Sequence, residues 1–296
     1  QQDSECILDT SVSWTDFEKN LRNAFSTDAT LGPNRAALDI GEGNGYNSCC
    51  ALITCDWVGA APEEKLPKTV VLKMPSSAGL HRLNDSMPEE KKMFDYSEED
   101  WEEMERSINK VHNREIAAYE FFEEFKCRTI PRKYFGNRVE DGNRATGQLC
   151  LEYIENSRMM SFHEKHSVEH ARQIARALGQ LQACSIKKEV TALVLQKDFF
   201  GNLANIFTFE AYNSTFKRIL AIDNSKNTKV LMEKIDLLLP VYYGANIAST
   251  LQKQMGFRPV IVHADLHPPN VLIDKDTGDL TAIIDWQCTH LGVGVE

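Results

Sequence analysis

Residues 260–287 read VIVHADLHPPNVLIDKDTGDLTAIIDWQ, and this stretch decides the fold. Two short apolar runs, Val260 to Val262 and Val271 to Ile273, flank a polar loop; a third, Leu280 to Ile284, follows a turn at Asp274 to Asp279. β-Branched residues dominate each run and turn formers bound it, so three short strands are expected. His263, Asp265, Asn270 and Asp285 stand where those strands stop, places from which a rigid scaffold presents functional groups. Asn270 follows Asp265 by five residues and Asp285 follows it by twenty. Phosphoryl transfer to a hydroxyl requires an acceptor for the hydroxyl proton, which suits Asp265. It also requires hard oxygens for Mg²⁺, which suits Asn270 and Asp285. Singly, each residue is well explained as a turn or a cap; the whole constellation at this spacing is not.

The H-x-D-x-x-x-x-N spacing is that of a kinase catalytic loop. At HADLHPPNVLI and AIIDWQ the chain resembles the choline-kinase-like (CHK) and ecdysteroid-kinase-like small-molecule kinases, above all their nematode members. Protein kinases carry H-R-D and D-F-G instead. Ala264 and Asp285-Trp286-Gln287 stand in those places, which points away from a protein kinase with a regulated activation loop. The resemblance implies an α+β, bilobal, protein-kinase-like fold. A small lobe of antiparallel sheet plus helix, residues 1–154, would bind nucleotide; a larger, mainly helical lobe, residues 155–296, would carry catalysis. It implies ATP and Mg²⁺ as cofactors, and transfer of the γ-phosphoryl group to a small-molecule alcohol: choline, ethanolamine or a sterol-like compound. An aminoglycoside or protein acceptor is the alternative, as is a nucleotide-binding module without turnover. Similar kinases continue with several helices, whereas this chain ends eleven residues after Asp285. The large lobe is therefore expected to be incomplete or unusually small.

Working back along the chain, Asp39 to Ser48 reads DIGEGNGYNS, ahead of the apolar run Cys49 to Ile53. Glycine lets a hairpin approach phosphate oxygens closely with its N–H groups free to bond them. Gly41, Gly43, Gly45 and Asn47 are thus candidate nucleotide contacts, although the pattern is neither a P-loop nor a Rossmann turn. In LPKTVVLKMP, residues 66–75, Val70, Leu72 and Met74 face one way and Val71 and Lys73 the other. A cation in an apolar strand costs desolvation unless an anion is near. In a kinase that lysine meets the α/β-phosphates and a helical glutamate. Glu115, in NREIAAYEFF, is the partner the resemblance implies; Glu120, Glu123 and Glu124 compete. Residues 84–110, polar and charge-rich, read as a solvated helix or an insertion before that helix. Gln148 to Ile154 reads as a strand leaving the small lobe. The backbone of Glu152, Tyr153 and Ile154 would meet the adenine edge, and Glu155 to Ser157 would be a polar link.

The rest bounds the class. Ser13 to Asp16 fits a capping box before an amphipathic helix bearing Trp14, Phe17, Leu21 and Phe25. Ser167 can cap a helix with Ile174, Leu178 and Leu181. Residues 229–255 hold one or two helices, broken near Pro240 and Gly244. His163, His166 and His170 miss the H-E-x-x-H spacing and read as a solvated face. Asp274 to Gly278 resembles the start of a calcium loop but places its glycine one residue early, so a hairpin turn is expected. A net charge of −10 disfavours nucleic acid as a partner. Eight cysteines with no C-x-x-C pair disfavour a zinc ribbon. The opening QQDSECILDT has neither a basic region nor an apolar core, and no apolar run approaches membrane-spanning length. Reduced thiols in the cytoplasm are expected, with no membrane span.

Overall fold

The computed structural model describes residues 5–8, 10–41, 47–86, 97–125, 127–140, 147–165, 167–192, 195, 225–244 and 254–294, with the backbone alone at 238–244. These fall into two compact units. The first takes residues 1–177 and 265–288; the second takes 178–264 and 289–296.

The first unit is built on a five-stranded antiparallel sheet. In sheet order its strands are β2 (Ala36–Asp39), β3 (Ser48–Thr54), β5 (Thr69–Pro75), β7 (Gln148–Glu152) and β6 (Lys133–Asn137). A smaller pair, β1 (Thr30–Leu31) and β4 (Trp57–Val58), lies beside it in sequence. Alternation along β5 gives the sheet two faces. Val70, Leu72 and Met74 are fully buried in one cluster with Phe17 and Leu21 of α1 (Trp14–Phe25) and with Ala51, Ile53 and Cys150. Burying one such aliphatic or aromatic side chain contributes about 1.5–3 kcal/mol. Lys73 takes the opposite face. There α3 (Glu98–Glu123) packs against β5 and β6. It comes so near that a Cβ on Gly136 would lie 3.0 Å from Ile116.

Helix boundaries follow their caps, with two departures from expectation. Ser13 caps α1 by accepting the Asp16 N–H, but the Asp16 carboxylate takes the Ser13 hydroxyl, giving half of the expected reciprocal box. The charged stretch is not separate from the helix bearing Glu115. The two form one 26-residue helix, started by a full capping box between Ser97 and Asp100. No glycine or proline interrupts residues 98–123, so nothing stops its propagation. Its polar first turns are exposed and its second half is buried. A short helix, α2 (Ala78–Ser86), precedes it, and residues 87–96 lie outside the described set.

The expected link after β7 also changes. Asn156 sits at φ 56°, a left-handed turn, and Ser157 opens β8 (Ser157–Met159). This strand joins β10 (Val271–Asp274) and β11 (Leu280–Ile283) in the order β11-β10-β8. The turn between β10 and β11 is the expected hairpin: Asp274 Oδ1 accepts the N–H groups of Asp276 and Thr277, and Gly278 takes φ 76°. Helix α4 (Val168–Lys187) opens with Ser167 Oγ accepting the His170 N–H.

In the second unit β9 (Val260–Val262) pairs with β12 (His290–Gly292). Helix α5 (Lys226–Gly244) runs through Pro240, where a break was expected, and ends at the glycine. One missing N–H costs a single bond, and a helix of 19 residues keeps its ladder on either side. Among the described residues no helix is long and apolar enough to cross a membrane.

Candidate active site

The candidate site lies within the first unit and begins with Lys73. Its side chain leaves the apolar strand on the face toward α3, and the residue is only 8% exposed. Register sets Cys50 of β3 on one side of it and Leu149 of β7 on the other. Its Nζ lies 2.7 Å from Glu115, which is 1% exposed, and also contacts Asp285 Oδ1. Burial alone would lower the lysine pKa, but Asp285 and then Glu115 overcome it and hold the ammonium well above its ordinary value. Burial raises the Glu115 pKa; Lys73 opposes that, and the Trp286 backbone N–H also faces the carboxylate. The competing acids have other partners: Glu120 pairs with Arg138, and Glu123 with Lys133.

Asp285 is placed by the strand that ends before it. The Ile284 N–H bonds the Asn270 carbonyl at 3.0 Å, which ties the residue after β11 to the end of the Asp265 to Asn270 loop. The next residue turns at φ 65°, a conformation that costs an L-residue roughly 1–2 kcal/mol. Gln287 Nε2 donates to Asp285 Oδ2 at 3.2 Å. Trp286, 1% exposed, anchors the turn by donating Nε1–H to the Ile283 carbonyl and by packing edge-on against Phe122 of α3, centroids 4.7 Å apart.

The loop from Asp265 to Asn270 closes on itself. Pro268 to Asn270 form a single 3-10 turn, and the Asn270 N–H bonds the His267 carbonyl at 2.9 Å. Asn270 Nδ2 donates to the Asp265 carbonyl at 2.8 Å and lies 3.2 Å from His267 Nε2. The Asp265 carboxyl is half-buried. Burial raises its pKa; His267 lowers it, and Asp285 raises it. His263 is buried just before the loop, and Ala264 turns at φ 62°.

The remaining expected positions divide. The Gly41 N–H donates to Asp39 Oδ1 at 2.8 Å, and a Cβ there would sit 3.2 Å from that of Cys50, a tight approach that glycine relieves. The Asn47 carbonyl accepts the Ser76 N–H at 3.3 Å, tying the loop's end to the end of β5. Gly43 and Gly45 lie outside the described residues, as does His166. At the expected hinge, the Glu152 N–H bonds the Arg132 carbonyl, and Ser157 donates to the Ile154 carbonyl at 2.7 Å. Those two groups are already engaged, and Tyr153 follows β7 directly. The structure thus gathers Lys73, Glu115 and Asp285 in direct contact, and joins Asp265, Asn270 and Asp285 through the loop backbone.

Sequence reasoning missed Cys50, His267 and Gln287. Cys50 lies opposite Lys73, its thiol pushed up by burial. A histidine ahead of two prolines reads as loop filler. The signal for Gln287 was its place two residues after Asp285.

A metal at this point would take Asp285 and the Asn270 amide oxygen. Among the described residues no group of three or more His, Cys, Asp or Glu side chains gathers as a cation site. Mg²⁺ commonly takes only one or two protein oxygens, with phosphates and water completing the octahedron, so these two residues fit it.

This arrangement is that of a kinase-like α+β fold, with a buried lysine on the sheet, a glutamate on the packed helix and a loop carrying Asp265 and Asn270. The chain belongs to the DUF1679 family, whose description reads "Uncharacterized oxidoreductase dhs-27", matched over residues 1–295. No curated protein matches its sequence. Among solved structures, one described as a candidate aminoglycoside phosphotransferase from Ralstonia eutropha is similar at 11% identity and a TM-score of 0.50. The match covers 94% of this chain and 65% of that one. It shows a shared kinase-like fold. Choline kinase from Streptococcus pneumoniae (14% identity, TM-score 0.42, 94% of this chain and 71% of that one) is also similar. So is a spectinomycin phosphotransferase solved with ADP and spectinomycin (13% identity, TM-score 0.45, 94% and 69%).

Proposed function

We propose that the protein is an ATP-dependent phosphotransferase acting on a hydroxyl group of a small molecule. The observation that carries this is the contact of Lys73 with both Glu115 and Asp285, completed by the Asp265 to Asn270 loop. The glycine-rich segment with Gly41, Gly43, Gly45 and Asn47, together with Lys73, would hold the nucleotide phosphates. Backbone groups of Glu152, Tyr153 and Ile154 other than the engaged Glu152 N–H and Ile154 carbonyl would read adenine, and Glu115 would keep Lys73 extended. Asp265 would take the proton of the attacking hydroxyl as its oxygen bonds the γ-phosphorus and the β–γ bridging oxygen departs with ADP. Mg²⁺ on Asn270 and Asp285 would supply charge compensation on the phosphates. The two-lobed division at residue 154 belongs to the same reading.

The acceptor class is drawn from the resemblance: choline, ethanolamine or a sterol-like alcohol, as in choline-kinase-like and ecdysteroid-kinase-like proteins of nematode type, with an aminoglycoside as the alternative. All eight cysteines are free thiols, which suits a reducing compartment such as the cytoplasm. The family's oxidoreductase description has a structural counterweight. Every strand pair among the described residues is antiparallel, and the glycine loop lies between β2 and β3 rather than between a strand and a helix. Dinucleotide binding of the Rossmann type uses a parallel sheet and a strand-to-helix turn. A panel of labelled-ATP assays with choline, ethanolamine, a sterol alcohol and an aminoglycoside tests the proposal. Transfer to at least one hydroxyl acceptor is expected, and nicotinamide-dependent turnover with no transfer to any of them contradicts it.

A further inference from the structure

We infer that His267 is a positioning residue which, with the Asp265 carbonyl, locks the amide plane of Asn270 and holds its Oδ1 ready for a divalent cation. The inference rests on the reading of Asn270 as a metal-binding residue and deepens it. A main-chain carbonyl only accepts hydrogen bonds, so the Asn270 atom 2.8 Å from the Asp265 carbonyl is the amide nitrogen. The same nitrogen lies 3.2 Å from His267 Nε2. An amide nitrogen only donates, so Nε2 accepts, and the imidazole proton sits on Nδ1. Nε2 is not claimed by the Asp265 carboxylate, whose Oδ1 is 3.9 Å away, beyond hydrogen-bond reach. One bond would leave the amide free to swing; two divergent bonds fix its plane.

The surroundings are built to hold this ring. Pro268 and Pro269 fix their own φ angles, and the 3-10 turn ties the Asn270 N–H to the His267 carbonyl. Phe162, itself 63% exposed, stacks on the imidazole with centroids 5.1 Å apart and planes 20° from parallel. His267 Nδ1 is buried and meets no hydrogen-bond partner among the described residues. A buried N–H without an acceptor is a cost to the fold. The bond made at Nε2 is what this ring placement secures. Groups that orient a metal's ligands typically change its affinity 10–100-fold when removed.

The test uses Mn²⁺ as the probe ion, with ADP, and counts free Mn²⁺ by electron paramagnetic resonance. His267→Ala is expected to weaken Mn²⁺ binding in the ADP complex by about tenfold or more, with metal-free ADP affinity within about twofold. His267→Gln, whose amide oxygen can accept where Nε2 did, is expected to restore most of that loss. An unchanged Mn²⁺ affinity in His267→Ala, beside a clear loss in Asn270→Ala, overturns the positioning role alone. An equal loss in His267→Gln and His267→Ala, at matching thermal midpoints, also overturns it. No loss in Asn270→Ala overturns the metal reading and this inference together. Should His267→Ala not fold, Phe162→Leu decides: a partial loss is expected, and an unchanged affinity overturns the proposal.

Discussion

Lys73 is the residue on which the site turns, and its chemistry makes removal costly. Lys73→Met would leave Glu115 and Asp285 facing each other with no cation. Breaking a buried ion pair by deleting one partner costs about 3–5 kcal/mol, and a urea-unfolding midpoint should fall accordingly. An unchanged midpoint would mean that the pair contributes nothing. Asp265 sets the expected pH dependence. Its pKa is raised by burial, with Asp285 adding and His267 opposing. A base must be deprotonated, so activity should be lost as pH falls, with the acid limb of kcat/KM centred above the ordinary carboxylate value of 3.8. A limb at or below 3.8 would remove Asp265 from that role. Lys73 was legible because a cation amid Val70, Val71, Leu72 and Met74 needs a reason. Glu115 was legible through resemblance and through the apolar Ile116 and Tyr119 beside it, and the structure separates it from Glu120 and Glu123 by giving each of those an outer partner. His267 was not legible, because its role depends on which way a ring faces after two prolines turn the chain.

At the scale of elements, the buried second half of α3 ties the site to the sheet, while its first turns are exposed. Ser97 starts it with a capping box, and Ser97→Ala should cost about 1 kcal/mol of stability. Because that cap is about five turns from Glu115, nucleotide affinity should be nearly unchanged in that variant. A large loss of affinity would show that the exposed first turns matter to the site. At the other end Trp286 is wedged against Phe122. Trp286→Ala should cost about 3–5 kcal/mol through the cavity it leaves, and it should weaken nucleotide binding by loosening Asp285. Retained stability would contradict the packing described. The strands around the catalytic loop were legible to within a residue, since β-branched runs with turn formers at both ends leave little freedom. The start of α3 was not, because exposed charges look alike whether they open a buried helix or form a solvated one. The continuation of α5 through Pro240 was missed for the converse reason: proline is a strong local signal that a long helix can absorb. The pairing of Ser157 to Met159 with β10 is a contact across more than a hundred residues, invisible to local pattern.

At the scale of the molecule, the kinase-like fold was legible, because the lysine strand, the glutamate helix and the strands flanking the Asp265 to Asn270 loop each leave a short local signature. The acceptor was not, since nothing in the charge of −10 or the composition selects one alcohol from another. The account stands on Asp285 serving the metal and Asp265 serving the acceptor. The most direct measurement is calorimetric titration of ATP, with and without Mg²⁺, into the wild-type chain, Asp285→Asn and Asp265→Asn. The wild type should bind ATP more tightly with Mg²⁺, and Asp285→Asn should lose that Mg²⁺ dependence. Asp265→Asn should keep both affinity and dependence while its turnover falls by about 10²–10⁴-fold. Folded wild-type protein that binds no ATP, or an Asp265→Asn that loses MgATP binding while Asp285→Asn retains it, would contradict the account.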